Sequence, residues 1–112
     1  MNLRVVGTGS KSGNCYLLEE SGHFLMLDCG VRKDAIYKAV DFNMAAVDGC
    51  LISHFHADHS KSIDFIRGNY IPIYLGTFNA LVNIGGNWLV KSFSVDHDVE
   101  EVGFIIQNTT TT

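Results

Sequence analysis

Three histidines and one aspartate lie within six consecutive positions near the middle of this sequence, in the run His54-Phe55-His56-Ala57-Asp58-His59. Imidazole nitrogen and carboxylate oxygen are ligands that Zn²⁺ accepts readily. In an extended segment alternate side chains share a face, so His54, His56 and Asp58 could converge on one ion. His59 points elsewhere and could serve a second. These six positions therefore predict ligands for two metal ions.

A short apolar segment comes immediately before the histidine cluster. Cys50-Leu51-Ile52-Ser53 follows Asp48-Gly49, a pattern typical of a buried strand entered through a turn. The cluster then stands at the carboxyl end of that strand. Open α/β sheets place their binding sites at this end.

The string His54-x-His56-x-Asp58-His59 resembles the signature of the metallo-β-lactamase fold superfamily. In that superfamily the first two histidines bind one zinc and the Asp-His pair binds the other. The resemblance implies that His97, which follows the apolar run at residues 88–95, completes a three-imidazole site with His54 and His56. The metal ligands implied are thus His54, His56, Asp58, His59 and His97.

Asp28 ends the apolar run Phe24-Leu25-Met26-Leu27. A carboxylate in that position must find a partner or remain at the open end of the strand. The resemblance implies the first alternative, in which Asp28 supports the site without binding metal and orients a ligating imidazole. An exposed strand-end aspartate is the other.

The resemblance also implies a fold and an activity. The fold is α/β, or α+β in some schemes, an αββα sandwich of which residues 1–108 supply the N-terminal sheet-plus-helices half and residues 109–112 a polar, frayed tail. The activity is that of a zinc-dependent hydrolase, in which zinc-activated water attacks an ester or phosphodiester bond and Asp58 acts catalytically by orienting that water. After His97 the sequence offers no further His, although the superfamily takes a bridging Asp and a final His from a second half. The alternative is a non-catalytic metal-binding or interaction fragment that needs a partner half.

The same reasoning sets expectations for cofactors and partners. One or two zinc ions are expected, with manganese or iron as alternatives, and the substrate is a small molecule or a phosphodiester, with nucleic acid included. The formal net charge of −4 argues against a broad basic surface for nucleic acid but leaves room for a local one.

Composition describes one small globular domain. With 112 residues, 46% hydrophobic and 18% charged, the chain is neither disordered nor long enough for two domains. No apolar run approaches the length of a membrane span, and the N-terminal residues show no secretory signal, so we expect the cytoplasm and no membrane partner. Three cysteines without a Cys-x-x-Cys pair suit a reducing compartment. We interpret them as packing residues, with a redox or ligand role for Cys29 as the weaker alternative.

Apolar periodicity and turn residues predict the remaining elements. Strands are expected at residues 3–6, 14–19, 23–28, 71–75, 88–95 and 102–106, and helices at 32–42, from about 58 to 67, and from 77 to 82, the last stopped by Gly85-Gly86. These strands amount to a single sheet, so one apolar face should be left bare. We therefore expect self-association or a partner that covers the sheet, with residues 104–107 as the open edge.

Overall fold

The secondary structure consists of short strands joined by still shorter helices. The computed structural model describes residues 1–9, 11, 13–53, 57–75, 81–94 and 102–108. Within these ranges the strands are β1 (Asn2–Gly7), β2 (Cys15–Glu20), β3 (His23–Leu27), β4 (Val47–Ile52), β5 (Ile73–Leu75), β6 (Val82–Ile84), β7 (Trp88–Ser94) and β8 (Val102–Asn108). The helices are α1 (Lys33–Ala39), α2 (Ala57–Ser60) and α3 (Ile63–Gly68), with a 3₁₀ turn at Met44–Ala46.

The larger of two sheets has the order β1-β2-β3-β4-β5. The first three strands are antiparallel neighbours, whereas β3, β4 and β5 run parallel. Ser21 and Gly22 form the turn between β2 and β3 with positive φ at both positions, 53° and 80°, as tight hairpins favour. Parallel neighbours need crossover connections, which α1 and the α2–α3 pair supply. The carboxyl ends of β3 and β4 consequently lie side by side.

The helices cover one face of the larger sheet. Leu17, Met26 and Ile52 from the strands pack in one buried cluster with Ile36 of α1 and Ile66 of α3. Burying an aliphatic side chain of this size stabilises the fold by about 1.5–3 kcal/mol relative to leaving it in water. This cluster therefore holds the helices, and the loops attached to them, in place on the sheet.

The smaller sheet covers the opposite face of the larger one. It has the order β6-β7-β8, and its Ile84, Trp88 and Val90 pack against Leu25 and Leu51 of the larger sheet. The described chain is thus layered as helices, sheet and sheet. On the far side of the smaller sheet Phe93 and Ile105 are 44% and 62% exposed.

These layers confirm the predicted α/β sandwich class and correct the prediction of a single sheet. Strands β6, β7 and β8 form a sheet of their own, because Trp88 and Val90 alternate with outward-facing Leu89 and Lys91 and give β7 one apolar face. The central strands β3 and β4 are therefore covered on both sides, whereas Leu3 and Val5 of the edge strand β1 are each 58% exposed. A further exposed apolar face lies on the outside of the smaller sheet.

Two of the helix predictions also need correction. Residues 76–80 lie outside the described ranges, but residues 82–84 form strand β6 and not the end of a helix. The reason is the glycine pair: Gly85 and Gly86 have φ of 63° and 82° and turn the chain back so that Val82 pairs with Val90.

The helix expected from about residue 58 to 67 is two helices. Ser62 divides α2 from α3, because its N–H donates to Cys29 O (2.8 Å) and its hydroxyl donates to Val31 O. No helix in the described part of the chain is both long and apolar enough to cross a bilayer.

Candidate metal centre

The candidate site forms where β3 and β4 end beside each other. Leu27 and Leu51 are paired in the parallel register, and the N–H of Asp28 donates to Leu51 O at 2.7 Å. Asp28 follows β3, and Ser53 follows β4. In the sequence, His54 follows Ser53 directly.

Asp28 is buried, only 6% exposed, and its backbone adopts φ of 61°. Its carboxylate accepts hydrogen bonds from the N–H of Ser53 (2.7 Å), the Ser53 hydroxyl (2.6 Å) and Nδ1 of His59 (2.8 Å). Hydrogen bonds to a charged acceptor each contribute about 1.5–3 kcal/mol. These contacts hold both the backbone that enters the histidine cluster and the ring that closes it. Of the two alternatives for Asp28, the structure shows the partnered one.

The contact with Asp28 determines which nitrogen of His59 is available to a metal. A carboxylate can only accept, so Nδ1 of a neutral His59 carries the hydrogen and Nε2 keeps its lone pair. Histidine ligands of zinc are commonly held by such a carboxylate, which fixes both the tautomer and the ring orientation. His59 is therefore arranged as a ligand through Nε2.

Asp58 provides a second donor at the same place. Its Oδ2 lies 3.7 Å from Nε2 of His59, and both residues belong to α2, as the sequence predicted. Two ligands at about 2.0–2.2 Å from a tetrahedral zinc are roughly 3.3–3.5 Å apart. A small side-chain rotation would bring this pair to that separation, so the donors fit a zinc ion.

Asn14 contacts both Asp58 and His59, and the sequence did not predict these contacts. Its N–H and its Nδ2 both donate to Asp58 O, at 2.7 and 3.1 Å. Nδ2 also lies 3.3 Å from Nε2 of His59, and Oδ1 accepts from the N–H of Gly9 at 3.1 Å. Asn14 thus joins the segment that contains Gly7, Gly9 and Gly13, called here the glycine-rich loop, to the Asp58–His59 pair. The signal in the sequence was an amide residue directly between that loop and an apolar strand.

Two glycines allow these segments to approach each other. A Cβ on Gly13 would stand 2.0 Å from Gly30 O, and a Cβ on Gly30 would stand 1.8 Å from Asp58 O. Both separations are impossible for real atoms. The backbone of the glycine-rich loop, the turn after β3 and the first turn of α2 therefore pack with no room for side chains between them.

The predicted ligands His54, His56 and His97 lie outside the described residues. Among the residues that are described, no group of three or more His, Cys, Asp or Glu side chains is placed to hold a metal. The site as described is therefore the Asp58–His59 donor pair with its supporting residues Asp28, Ser53 and Asn14.

The three cysteines lie behind the site in the helix-side core. Cys15, Cys29 and Cys50 are fully buried and free, in agreement with their interpretation as packing residues. Burial raises the pKa of the Cys15 thiol. The Cys50 thiol donates to the Cys29 sulfur, a hydrogen bond that lowers the pKa of Cys29 and raises that of Cys50.

A cleft of about 250 Å³ opens beside Asp58. Lys11 from the glycine-rich loop and Lys61 from the end of α2 line it together with Gly13 and Gly30. The backbones of Gly13 and Gly30 form part of its wall next to the carboxylate. The two ammonium groups bring positive charge to the opening, which favours an anionic ligand.

The layered sheets, the parallel pair at their centre and the site at its carboxyl end define a metallo-β-lactamase-fold protein. The chain matches the structure of the metallo-β-lactamase fold protein YhfI from Bacillus subtilis with a TM-score of 0.74, at 17% identity over 94% of this chain and 57% of that one. The model of the anti-Pycsar protein Apyc1 family matches residues 1–69, and the chain belongs to that family.

Two curated relatives extend the comparison. The anti-Pycsar protein Apyc1 of Paenibacillus harenae is 39% identical over 69 residues, which cover 57% of this chain and 29% of the relative. Exodeoxyribonuclease YycJ of Bacillus anthracis is 27% identical over 129 aligned residues, covering 93% of this chain and 48% of the relative. The chain therefore spans less than half the length of the curated relatives it matches.

Proposed function

We propose that this chain carries part of a metal-dependent hydrolase centre that cleaves phosphodiester bonds. The observation that carries the proposal is the Asp28–His59–Asp58 arrangement. A buried carboxylate holds the imidazole through Nδ1 at 2.8 Å, and Nε2 of that imidazole lies 3.7 Å from a second carboxylate. Zinc would supply a Lewis acid and an activated water at such a site.

Each residue has a separate role in this proposal. His54, His56 and His97 would hold one metal ion, and Asp58 and His59 would hold a second, with zinc as the expected metal and manganese or iron as alternatives. Asp28 positions His59 without touching the substrate. Asp58 would also orient the attacking water, because its carboxylate lines the cleft in which a substrate would lie.

Two observations favour a phosphodiester over a carboxylic ester as the substrate: the positive charge in the cleft and the sequence similarity to a nuclease. Lys11 and Lys61 flank Asp58, and cationic groups suit a substrate that keeps a negative charge. One relative, aligned over 93% of this chain, is an exodeoxyribonuclease. Free cysteines suit a reducing compartment, so we retain the cytoplasm as the expected location.

Hydrolysis of bis(p-nitrophenyl) phosphate tests the proposal. The zinc-loaded chain should release nitrophenol above the rate of free zinc ions, and Asp58→Asn should lower that rate by about 10²–10⁴-fold, the usual contribution of a positioned acid–base group. Asp41→Asn is the matched control, because Asp41 is a 78% exposed carboxylate that does not line the cleft beside Asp58. Equal rates for the Asp58 and Asp41 variants would refute the assignment of Asp58.

The rate of the chain alone should stay well below about 10 s⁻¹, the median for enzymes. Among the described side chains only Asp58 and His59 are placed to hold their ion, and two ligands do not fix its geometry. That observation favours the second candidate, a metal-binding chain that needs a partner half. Stoichiometric zinc without any hydrolysis would support this second candidate over the first.

Metal analysis tests the remaining ligands separately from turnover. Replacing both His54 and His56 by Ala should remove one zinc per chain, since neutral imidazoles are the expected ligands of that ion. Replacing His97 alone should weaken the same ion. Unchanged zinc content in the double variant would show that these histidines do not bind metal.

A further inference from the structure

Three clefts on the helix side of the molecule share lining residues. Their volumes are about 660, 490 and 250 Å³, and Lys61 lines all three of them. Arg32 lines the two larger clefts, and Lys11 lines the two smaller ones. The three clefts are therefore neighbours; together they are called here the α1–α2 groove, and Asp58 lines the smallest of them.

Positive charge is concentrated along this groove although the chain as a whole is acidic. Five of the eight Lys and Arg residues line it, all of them exposed: Lys11, Arg32, Lys33, Lys38 and Lys61. Away from Asp58 its lining carboxylates are Asp34, which pairs with Arg32 at 3.3 Å, and Asp64, which lies 3.7 Å from Arg67. The α1–α2 groove is thus a local basic surface on a chain whose net charge is −4.

We infer that the α1–α2 groove holds the backbone of a single nucleic-acid strand and leads one of its phosphodiesters to Asp58. The inference rests on the proposed function, since it names the substrate of that site. Proteins that hold single strands combine a basic groove with an aromatic side chain on which a base stacks. Phe65, half-buried, lines the largest cleft and provides such a side chain.

The course of the groove distinguishes a strand from a small anion. The two larger clefts extend away from Asp58 along α1 and α3, farther than a single phosphate could use. A chain of phosphates would place one charge at the metal centre and its neighbours beside Arg32 and Lys38. Exposed lysines contact phosphates without reading bases, so the groove should bind strands of any sequence.

Binding of a fluorescent single-stranded oligodeoxynucleotide tests this inference without requiring turnover. A strand of about 20 nucleotides exceeds the ~4–16 that one small binding domain occupies. Anisotropy titrations of the full chain would compare Lys11→Gln/Lys61→Gln with Arg67→Gln/Lys91→Gln, a control that removes equal charge from outside the groove. The first double variant should raise Kd at least tenfold and the control less than twofold.

Salt dependence gives a second measurement. Each lost phosphate contact lowers the slope of log K against log salt by about 0.7 for a single strand, so the groove variant should lose about 1.4 and the control almost nothing. Equal weakening of strand binding by both double variants would show that the groove is not the binding site. Tighter binding of a blunt duplex would show that the ligand is not a single strand. Equal competition by polyglutamate would show that any acidic polymer binds, which would also overturn the inference.

The groove and the hydrolytic centre can fail independently. Strand binding in the presence of a chelator reports on the groove, whereas hydrolysis of bis(p-nitrophenyl) phosphate by the zinc-loaded chain reports on the centre. A chain that binds the strand through Lys11 and Lys61 but hydrolyses nothing would overturn the proposed function and support the groove. Hydrolysis with no difference between the two double variants would overturn the groove alone.

Discussion

Replacing Asp28 by Asn is expected to weaken zinc binding through His59 while leaving the fold in place. Asparagine has the shape of aspartate and tolerates a left-handed backbone, which Asp28 adopts with φ of 61°. The substitution removes the negative charge. It also replaces one accepting oxygen by an NH₂ group, which can accept a hydrogen bond neither from the Ser53 hydroxyl nor from Nδ1–H of His59; both contacts, at 2.6 and 2.8 Å, now end on the same carboxylate oxygen.

The expected loss follows from these contacts. Removing a partner that orients a metal-binding histidine typically lowers metal affinity by about 10–100-fold, which corresponds to about 1.4–2.8 kcal/mol. Leaving a buried donor without its acceptor should also lower the free energy of unfolding of the metal-free chain by about 1–3 kcal/mol. Competition with a chromophoric chelator measures the first quantity, and urea unfolding measures the second.

The tautomer of His59 offers a direct reading of the same contact. At mildly alkaline pH, where an ordinary imidazole is neutral, long-range ¹H–¹⁵N correlation should show the hydrogen on Nδ1 in the unsubstituted chain. That preference should weaken in Asp28→Asn, because the charged acceptor is lost. The measurement separates a change in ring orientation from a general loss of structure.

Asp41→Asn is the matched control for Asp28→Asn. Asp41 also has positive φ, 54°, but its side chain is 78% exposed and lies 3.6 Å from Arg4. Zinc affinity and stability should hardly change there. Two results would refute the role of Asp28. In the first, His59→Ala loses zinc affinity but Asp28→Asn keeps it within about twofold of the unsubstituted chain. In the second, the neutral ring of His59 carries its hydrogen on Nε2.

Three further outcomes are expected. Gly30→Ala should lower the free energy of unfolding by about 1–3 kcal/mol and reduce zinc affinity, because the added Cβ would meet Asp58 O at 1.8 Å. Gly68→Ala is the control: open space surrounds Gly68, so this change should be neutral or slightly stabilising in urea titrations. The three buried cysteines should resist a thiol reagent until denaturant unfolds the chain; prompt labelling of native protein would contradict their packing role. Sedimentation should show concentration-dependent association that Ile105→Gln weakens, since Ile105 is 62% exposed beside Phe93 on the outer face of the smaller sheet; a monodisperse monomer at every concentration would count against this face as a contact surface.

Local patterns carried most of the correct predictions about the fold. Residues 50–52 of the predicted apolar run proved to be the end of β4, although this strand begins at Val47 and so includes Asp48 and Gly49, which were expected to form a turn. Asp58 and His59 were expected in the first turn of a helix and lie in α2. These features depend on neighbours in the chain, so periodicity and turn chemistry are sufficient to predict them.

The two helix errors share a physical cause. Around Val82 the apolar spacing suited either a helix or a strand, and pairing with Val90 across the sheet decided the outcome. At Ser62 the helical pattern continues, but hydrogen bonds to Cys29 and Val31 interrupt it. In both places contacts with a distant segment override local propensity.

The sequence by itself determined which candidate donor side chains are present, their spacing around Asp58 and His59, and the aspartate at the end of β3. Only the tertiary structure decided that Asp28 contacts His59, 31 positions away, that Asn14 contacts both members of the motif, and that scattered basic residues share one groove. The types of donor atom can be read directly from the residue types, because each donor atom belongs to one side chain. Orientation and charge clustering depend on which strands become neighbours, and that follows from packing the whole chain around its core.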